Sequence, residues 1–213
     1  MRAAFGLAGL LAAVLLAGGC AAVVVGAGGI AAVNALEDRR TAGSQIEDEA
    51  NEVRAVHRIA ERYPEGVHVN ITSFNRAVLL TGEVPDAATR EAIEKIAAGL
   101  PNVRTVANEL EVAGASSITS RSNDSLITSK VKVRLLDARR VYPMHVKVVT
   151  EAGIVYLMGI VTEQEGSDAA EVARTTGGVR KVVKVFEYCK PADDACRPSA
   201  PASAPAQKAR PGG

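Results

Sequence analysis

The sequence predicts an α+β fold built from two tandem copies of one unit, each ordered helix, strand, strand, helix, strand. Three observations predict it. VHVNITSFNRAVLLTGEV (67–84) aligns with MHVKVVTEAGIVYLMGIV (144–161) at a constant offset of 77, so that His68 meets His145, Leu80 meets Leu157, Gly82 meets Gly159 and Val84 meets Val161. Farther along, NVRTVANELEV pairs with GVRKVVKVFEY at an offset of 76. Self-similarity of this kind marks a repeated supersecondary unit. Within each copy, finally, two alternating runs flank a short turn, the signature of a β-hairpin.

Each element has a local reason. The first helix covers IEDEANEVRAVHRIAERY, with Ile46, Val53, Val56 and Ala60 near one face. Its counterpart is LITSKVKVRLL, where Ile127, Val131 and Leu135, together with Val133, are expected to face the core. In the first strand Val67, Val69 and Ile71 point one way, while His68, Asn70 and Thr72 point the other, toward solvent. The hairpins turn at Phe74-Asn75-Arg76 and Glu151-Ala152-Gly153. The following helix begins at Asp86 and stops near Gly99-Leu100-Pro101; its counterpart runs from Glu163 to Gly177-Gly178. A last strand closes each copy. Because a helix separates it from the second strand, those two strands run parallel. The result is a three-stranded mixed sheet covered by two helices on one face. The units span 46–112 and 121–190, joined by a polar linker at 113–120, and each is expected to fold alone. The tail, 191–213, is rich in Pro and Ala and is expected to be disordered.

This order, with a glycine near the end of the second strand and a GGV entry to the third in the second copy, resembles the BON domain. The resemblance covers residues 20–189. It is sharpest in SNDSLITSKVKVRLL and VKVVTEAGIVYLMGIVTEQE.

The chain opens MRAAFGLAGLLAAVLLAGGC. Arg2 supplies a positive start, Ala3 to Leu16 an apolar core of signal-peptide length, and Ala17, Gly18 and Gly19 the small residues before a cleavage site. A cysteine directly after such a site resembles the lipobox of bacterial lipoproteins. The resemblance implies that residues 1–19 are removed and that Cys20 carries lipid, with 20–45 as a Gly/Ala-rich tether. The alternative is an uncleaved N-terminal anchor; either way the protein is held at a membrane. Ala21 stands where inner-membrane members of that class carry Asp, which implies the outer membrane, facing the periplasm. Two BON domains behind a lipobox look like the dual-BON outer-membrane lipoproteins.

Composition narrows the function. There is no Trp, and only three Phe and four Tyr, so the core must rest on Val, Ile, Leu and Ala. The three histidines, His57, His68 and His145, show no metal-ligand spacing, so no metal, no cofactor and no catalytic residue is expected. Cys189 and Cys196 either pair across CKPADDAC in an oxidising compartment or remain two free thiols. Nucleic acid is set aside by compartment. Residues 46–112 carry 12 acidic and 7 basic side chains, a balance of −5; residues 121–190 carry 8 and 12, a balance of +4. Such asymmetry suggests different partners for the two halves.

An anionic phospholipid membrane is the expected partner of the second copy. Leu126, Lys130 and Arg134 recur at spacings of four on its first helix, and an apolar residue above two cations is the pattern of an interfacial helix. Leu126, Ile127, Lys130 and Arg134 are therefore the expected phospholipid-binding residues. In related proteins an aromatic often stands where Leu126 does. The other reading is a non-enzymatic envelope adaptor whose acidic first domain recruits an outer-membrane, periplasmic or barrel-assembly partner. An enzyme is the weakest of the three readings.

Overall fold

The computed structural model describes residues 38–113, 118–138, 141–193 and 196. Cys20, the tether up to residue 37 and nearly all of the tail beyond 193 lie outside them. The first repeat comprises α1 (Ala42–Arg62), β1 (His68–Phe74), β2 (Ala77–Val84), α2 (Ala87–Ala98) and β3 (Thr105–Val112). The second comprises α3 (Ile118–Ala138), a short 3₁₀ turn (Pro143–His145), β4 (Val146–Glu151), β5 (Ile154–Val161), α4 (Glu163–Arg174) and β6 (Lys181–Tyr188). In each sheet the middle strand pairs antiparallel with the strand before it and parallel with the strand after the helix. This is the α+β, two-mixed-sheet architecture expected from the repeat.

The repeated residues have structural reasons. The hairpins turn on two residues each, Asn75-Arg76 and Ala152-Gly153, all four with positive φ. That left-handed pair matches the twist of the flanking strands. Gly82 and Gly159 lie beneath the backbone of β1 and of the 3₁₀ turn, where a Cβ would collide with the carbonyl oxygens of His68 and His145. Only glycine permits that approach, which gives the Gly82–Gly159 match at the offset of 77 a backbone reason. Asp86 and Thr162 cap α2 and α4, accepting from the amides of Thr89 and Glu165. At Thr162 the Glu165 side chain returns a bond to complete a capping box.

Each repeat has its own core on the helical face of its sheet. In the first, Ile59, Val78, Leu80, Val84, Ile93, Ala97 and Leu110 pack together. In the second, Ile127, Val131 and Leu135 meet Val148, Val155, Leu157, Val161, Ala169 and Ala173. The opposite faces are not left to solvent. Phe74 and Leu79 of the first repeat and Tyr156, Met158 and Ile160 of the second form a third buried cluster. The two sheets therefore pack back to back, and residues Asp38–Pro198 form one compact unit. Each repeat was expected to fold alone; in the structure the two also share this buried cluster. Alternation along β2 and β5 shows two faces but not what covers the second, and here the other repeat covers it. Lys147 Nζ also reaches Glu52 at 3.0 Å, and Arg104 pairs with Glu187, both across the repeats. α3 begins at Ile118, within the segment read as a linker.

Two further expectations are overturned. On α1 the buried residues are Ser44, Asp48, Asn51, Ala55 and Ile59, while Ile46, Val53 and Val56 are 69%, 58% and 52% exposed and Ala60 also faces out. At an offset of 76, Asn51, Ala55 and Ile59 match Ile127, Val131 and Leu135, so both helices dock by the same face. His145, the counterpart of His68, which was expected to face solvent, is instead buried in the 3₁₀ turn beside Tyr142 at its N-cap.

Candidate functional site

The second repeat presents α3 with two unlike faces. Ile127, Val131 and Leu135 point inward and are fully buried. Ile127 is thus a core residue and not part of an exposed lipid-binding face, because the face it shares with Val131 and Leu135 is closed by the sheet. Outward, Leu126, Val133 and Leu136 are 61%, 57% and 62% exposed. At 100° per residue these three and Ser129 form one row, at i, i+3, i+7 and i+10. Lys130 and Lys132 flank it on either side, both exposed, and Asp137 lies near its C-terminal end. Val133 was expected in the core, and Leu136 was not expected in the site. Treating Leu126 as the start of its own i+3/i+7 row would have found both.

Arg134 is directed elsewhere. Its guanidinium donates to Thr176 Oγ1 at 2.9 Å, Thr175 Oγ1 at 3.1 Å and the Val172 carbonyl at 3.4 Å. It thereby serves the C-terminal end of α4, where a cation opposes the helix dipole. Lys132 takes its place as the second cation of the outward face.

Two buried aspartates hold the helices to their hairpins. Asp48 on α1 accepts from the amides of Asn75 and Arg76 at 2.7 Å each, from Ser73 Oγ at 2.8 Å and from Arg40 Nη1 at 3.0 Å. Asp124 on α3 accepts from the amides of Ala152 and Gly153 at 2.9 and 2.8 Å. They correspond at an offset of 76, a regularity legible in the sequence once the helices are included in the repeat. Just before α1, Arg39 reaches the second repeat, donating to Glu165 at 2.7 and 3.0 Å and to the Ile160 carbonyl at 2.9 Å. Burial opposes ionisation of Glu165, yet the Arg39 guanidinium and the Thr162 amide hold its carboxyl at about 2.

Between the repeats, the face of β1 expected to be solvated meets the second sheet. His68 Nδ1 lies 2.9 Å from Glu83 Oε2, and Asn70 Nδ2 donates to Glu151 Oε2 at 2.6 Å. Ligand atoms of His68, Glu83 and Glu151 all fall within 4.8 Å of one another. Burial, opposed by Asn70 and His68, pushes the Glu151 carboxyl up. At the other end of the fold Cys189 and Cys196 are joined as a disulfide, with Cα atoms 5.9 Å apart. Among the described residues no helix is long and apolar enough to cross a membrane.

Two helix-and-mixed-sheet repeats packed back to back define a tandem α+β module. The BON domain model matches residues 48–114 and 123–190, and the chain belongs to the BON-domain family. It is 41% identical over 185 residues to "Outer membrane lipoprotein DolP" of Haemophilus influenzae, covering 85% of this chain and 95% of that protein. It is 36% identical over 153 residues to "21 kDa hemolysin" of Actinobacillus pleuropneumoniae, covering 71% of this chain and 79% of the other. Identity to "Osmotically-inducible protein Y" of Escherichia coli is 35% over 117 residues, 54% of this chain and 58% of that one. The chain is an envelope-associated protein with two BON domains, and the outer-membrane localisation expected from its N-terminal segment agrees with the name of the Haemophilus relative.

Proposed function

We propose that this protein is held at the outer membrane by acyl groups on Cys20 and uses α3 of its second BON domain to contact an anionic phospholipid surface, supporting envelope integrity without catalysis. One observation carries the reading. Leu126, Val133 and Leu136 form an exposed apolar row between Lys130 and Lys132. Such a face buries its apolar side chains at the level of the headgroups while the lysines extend toward phosphate. Each cation adds about 1 kcal/mol near an anionic leaflet. That is weak alone, but acylation at Cys20, 18 positions before Asp38, holds the module at the membrane and makes the contact effectively intramolecular.

The test is vesicle binding by residues 38–196, which hold the described fold without the acyl groups. Wild type should bind anionic vesicles, neutral ones far less, and lose binding as salt rises. Lys130→Glu with Lys132→Glu reverses four units of charge and should cost about 4 kcal/mol. Equal binding by the folded double variant would sink this reading.

A second reading rests on a different observation. α1 of the acidic first repeat exposes Ile46, Val53 and Val56 in an apolar row with Glu49 among them. That face suits a protein partner better than an anionic bilayer, and it supports an adaptor role through BON domain 1.

A further inference from the structure

Buried carboxylates in this fold fall into two groups. Asp38 and Asp48 are both paired to Arg40, and the half-buried Glu165 is paired to Arg39. Glu83 and Glu151 are as deeply buried, at 6% and 8% exposure, yet among the described residues neither forms an ion pair with lysine or arginine. Their neighbours are the His68 imidazole, the Asn70 amide and a third buried carboxylate, Asp124, whose oxygens are taken by two backbone amides. Burying two carboxylates with one imidazole between them is costly unless more positive charge is supplied.

The geometry points to a divalent transition-metal ion of the zinc type, held by His68 Nδ1, Glu83 and Glu151 and joining the two BON repeats. One imidazole nitrogen and two carboxylate oxygens form a donor set for such an ion, with a position left for water. Around tetrahedral zinc, nitrogen and oxygen ligands at ~2.0–2.2 Å stand roughly 3.3–3.5 Å apart. The three donors, already within 4.8 Å of one another, reach that spacing by side-chain rotation. His68 and Glu83 face each other as a register pair across β1 and β2, and Gly82 presses the His68 backbone close, so both ligands ride on rigid strands. Glu151 comes from β4 of the other repeat, at the edge of its hairpin turn. Asn70 binds Glu151 and orients it. A cavity of about 430 Å³, lined by His68, Asn70, Asp124, Thr128, Thr150 and Glu151, opens onto the cluster and provides an entry path. Ligands separated by 15 and 68 residues leave no local motif, which is why the sequence predicts no metal.

Full-length acylated protein in detergent, stripped with chelator, should bind one equivalent of zinc by calorimetry with micromolar or tighter affinity. Its Tm should rise by several degrees at saturating zinc. Glu151→Gln, an isosteric change, and His68→Ala should each weaken zinc binding by about tenfold or more, while His57→Ala on exposed α1 should bind as wild type. Without zinc, Glu151→Gln should be at least as stable as wild type, since it removes a buried charge; with zinc the order should reverse. No saturable binding by wild type would overturn the assignment. So would unchanged affinity in both cluster variants, or equal competition by magnesium, which disfavours an imidazole site.

Discussion

The two repeats share a frame and differ in what they show to the outside. In both, an aspartate on the first helix locks the hairpin turn, a glycine admits the preceding backbone, and the same three helix positions dock on the sheet. Yet where α3 docks with Ile127, Val131 and Leu135, α1 docks with Asn51, Ala55 and Ile59, and of the two outward apolar rows the one on α1 includes Glu49 while the one on α3 lies between lysines. What is common to the repeats serves folding; what separates them, charge and outward composition, carries the different partners proposed for the two domains.

The largest difference should appear at the hairpin locks. Asp48 serves four donors, one of them Arg40, and Asp124 is shown serving two amides. Asp48→Ala should therefore destabilise by about 3–5 kcal/mol, Asp124→Ala by about 2–3 kcal/mol. Urea unfolding compares them, and equal losses would mean that the Arg40 and Ser73 contacts add nothing.

Acid should act next, and on the strap between repeats. Glu165 is depressed from its ordinary value of 4.5 to about 2, so its contribution is present above pH 4.5 and is lost as pH falls toward 2. About 2–3 kcal/mol should disappear across that window. In Arg39→Ala the loss across the window should be much smaller, because the folded and unfolded values then approach each other. Thermal melts from pH 5 to pH 2 on both proteins check this.

The shared cluster gives a somewhat smaller effect that bears on independence. Leu79→Ala removes a fully buried side chain from the back-to-back packing and should cost about 2–3 kcal/mol. Combined with Met158→Ala from the other repeat, the losses should not add, since both side chains line one cluster. Strict additivity would mean that the sheets respond separately.

The smallest effect separates the outward rows. Val133→Ser with Leu136→Ser on α3 should weaken binding to anionic vesicles by roughly 1–3 kcal/mol, while Val53→Ser with Val56→Ser on α1 should leave it unchanged. Flotation with matched vesicles measures both, and an equal loss from the two pairs would remove the distinction between the domains.

The amino-acid sequence by itself determined the repeated unit, its order of elements, both hairpin turns, the helix starts near Asp86 and Glu163, and the inward placement of Ile127, Val131 and Leu135. These rest on neighbours within a few residues, or on a period that one helix or strand imposes on itself. Tertiary structure decided the rest. Periodicity tells which residues share a face but not what covers it, so the burial of Leu79, Tyr156 and Met158 between two sheets was out of reach. On α1 the reading failed because the buried row mixes Asp48 and Asn51 with Ala55 and Ile59, Asp48 accepting from the hairpin amides, so that its apolar spacing is masked while Ile46, Val53 and Val56 face outward. Arg134 turned to the end of α4 for a similar reason, because carbonyl and hydroxyl acceptors lay within its reach. Only the meeting of two distant strand faces set Glu151 beside His68 and Glu83, since charge clusters of that kind are made by packing and leave no spacing in the chain.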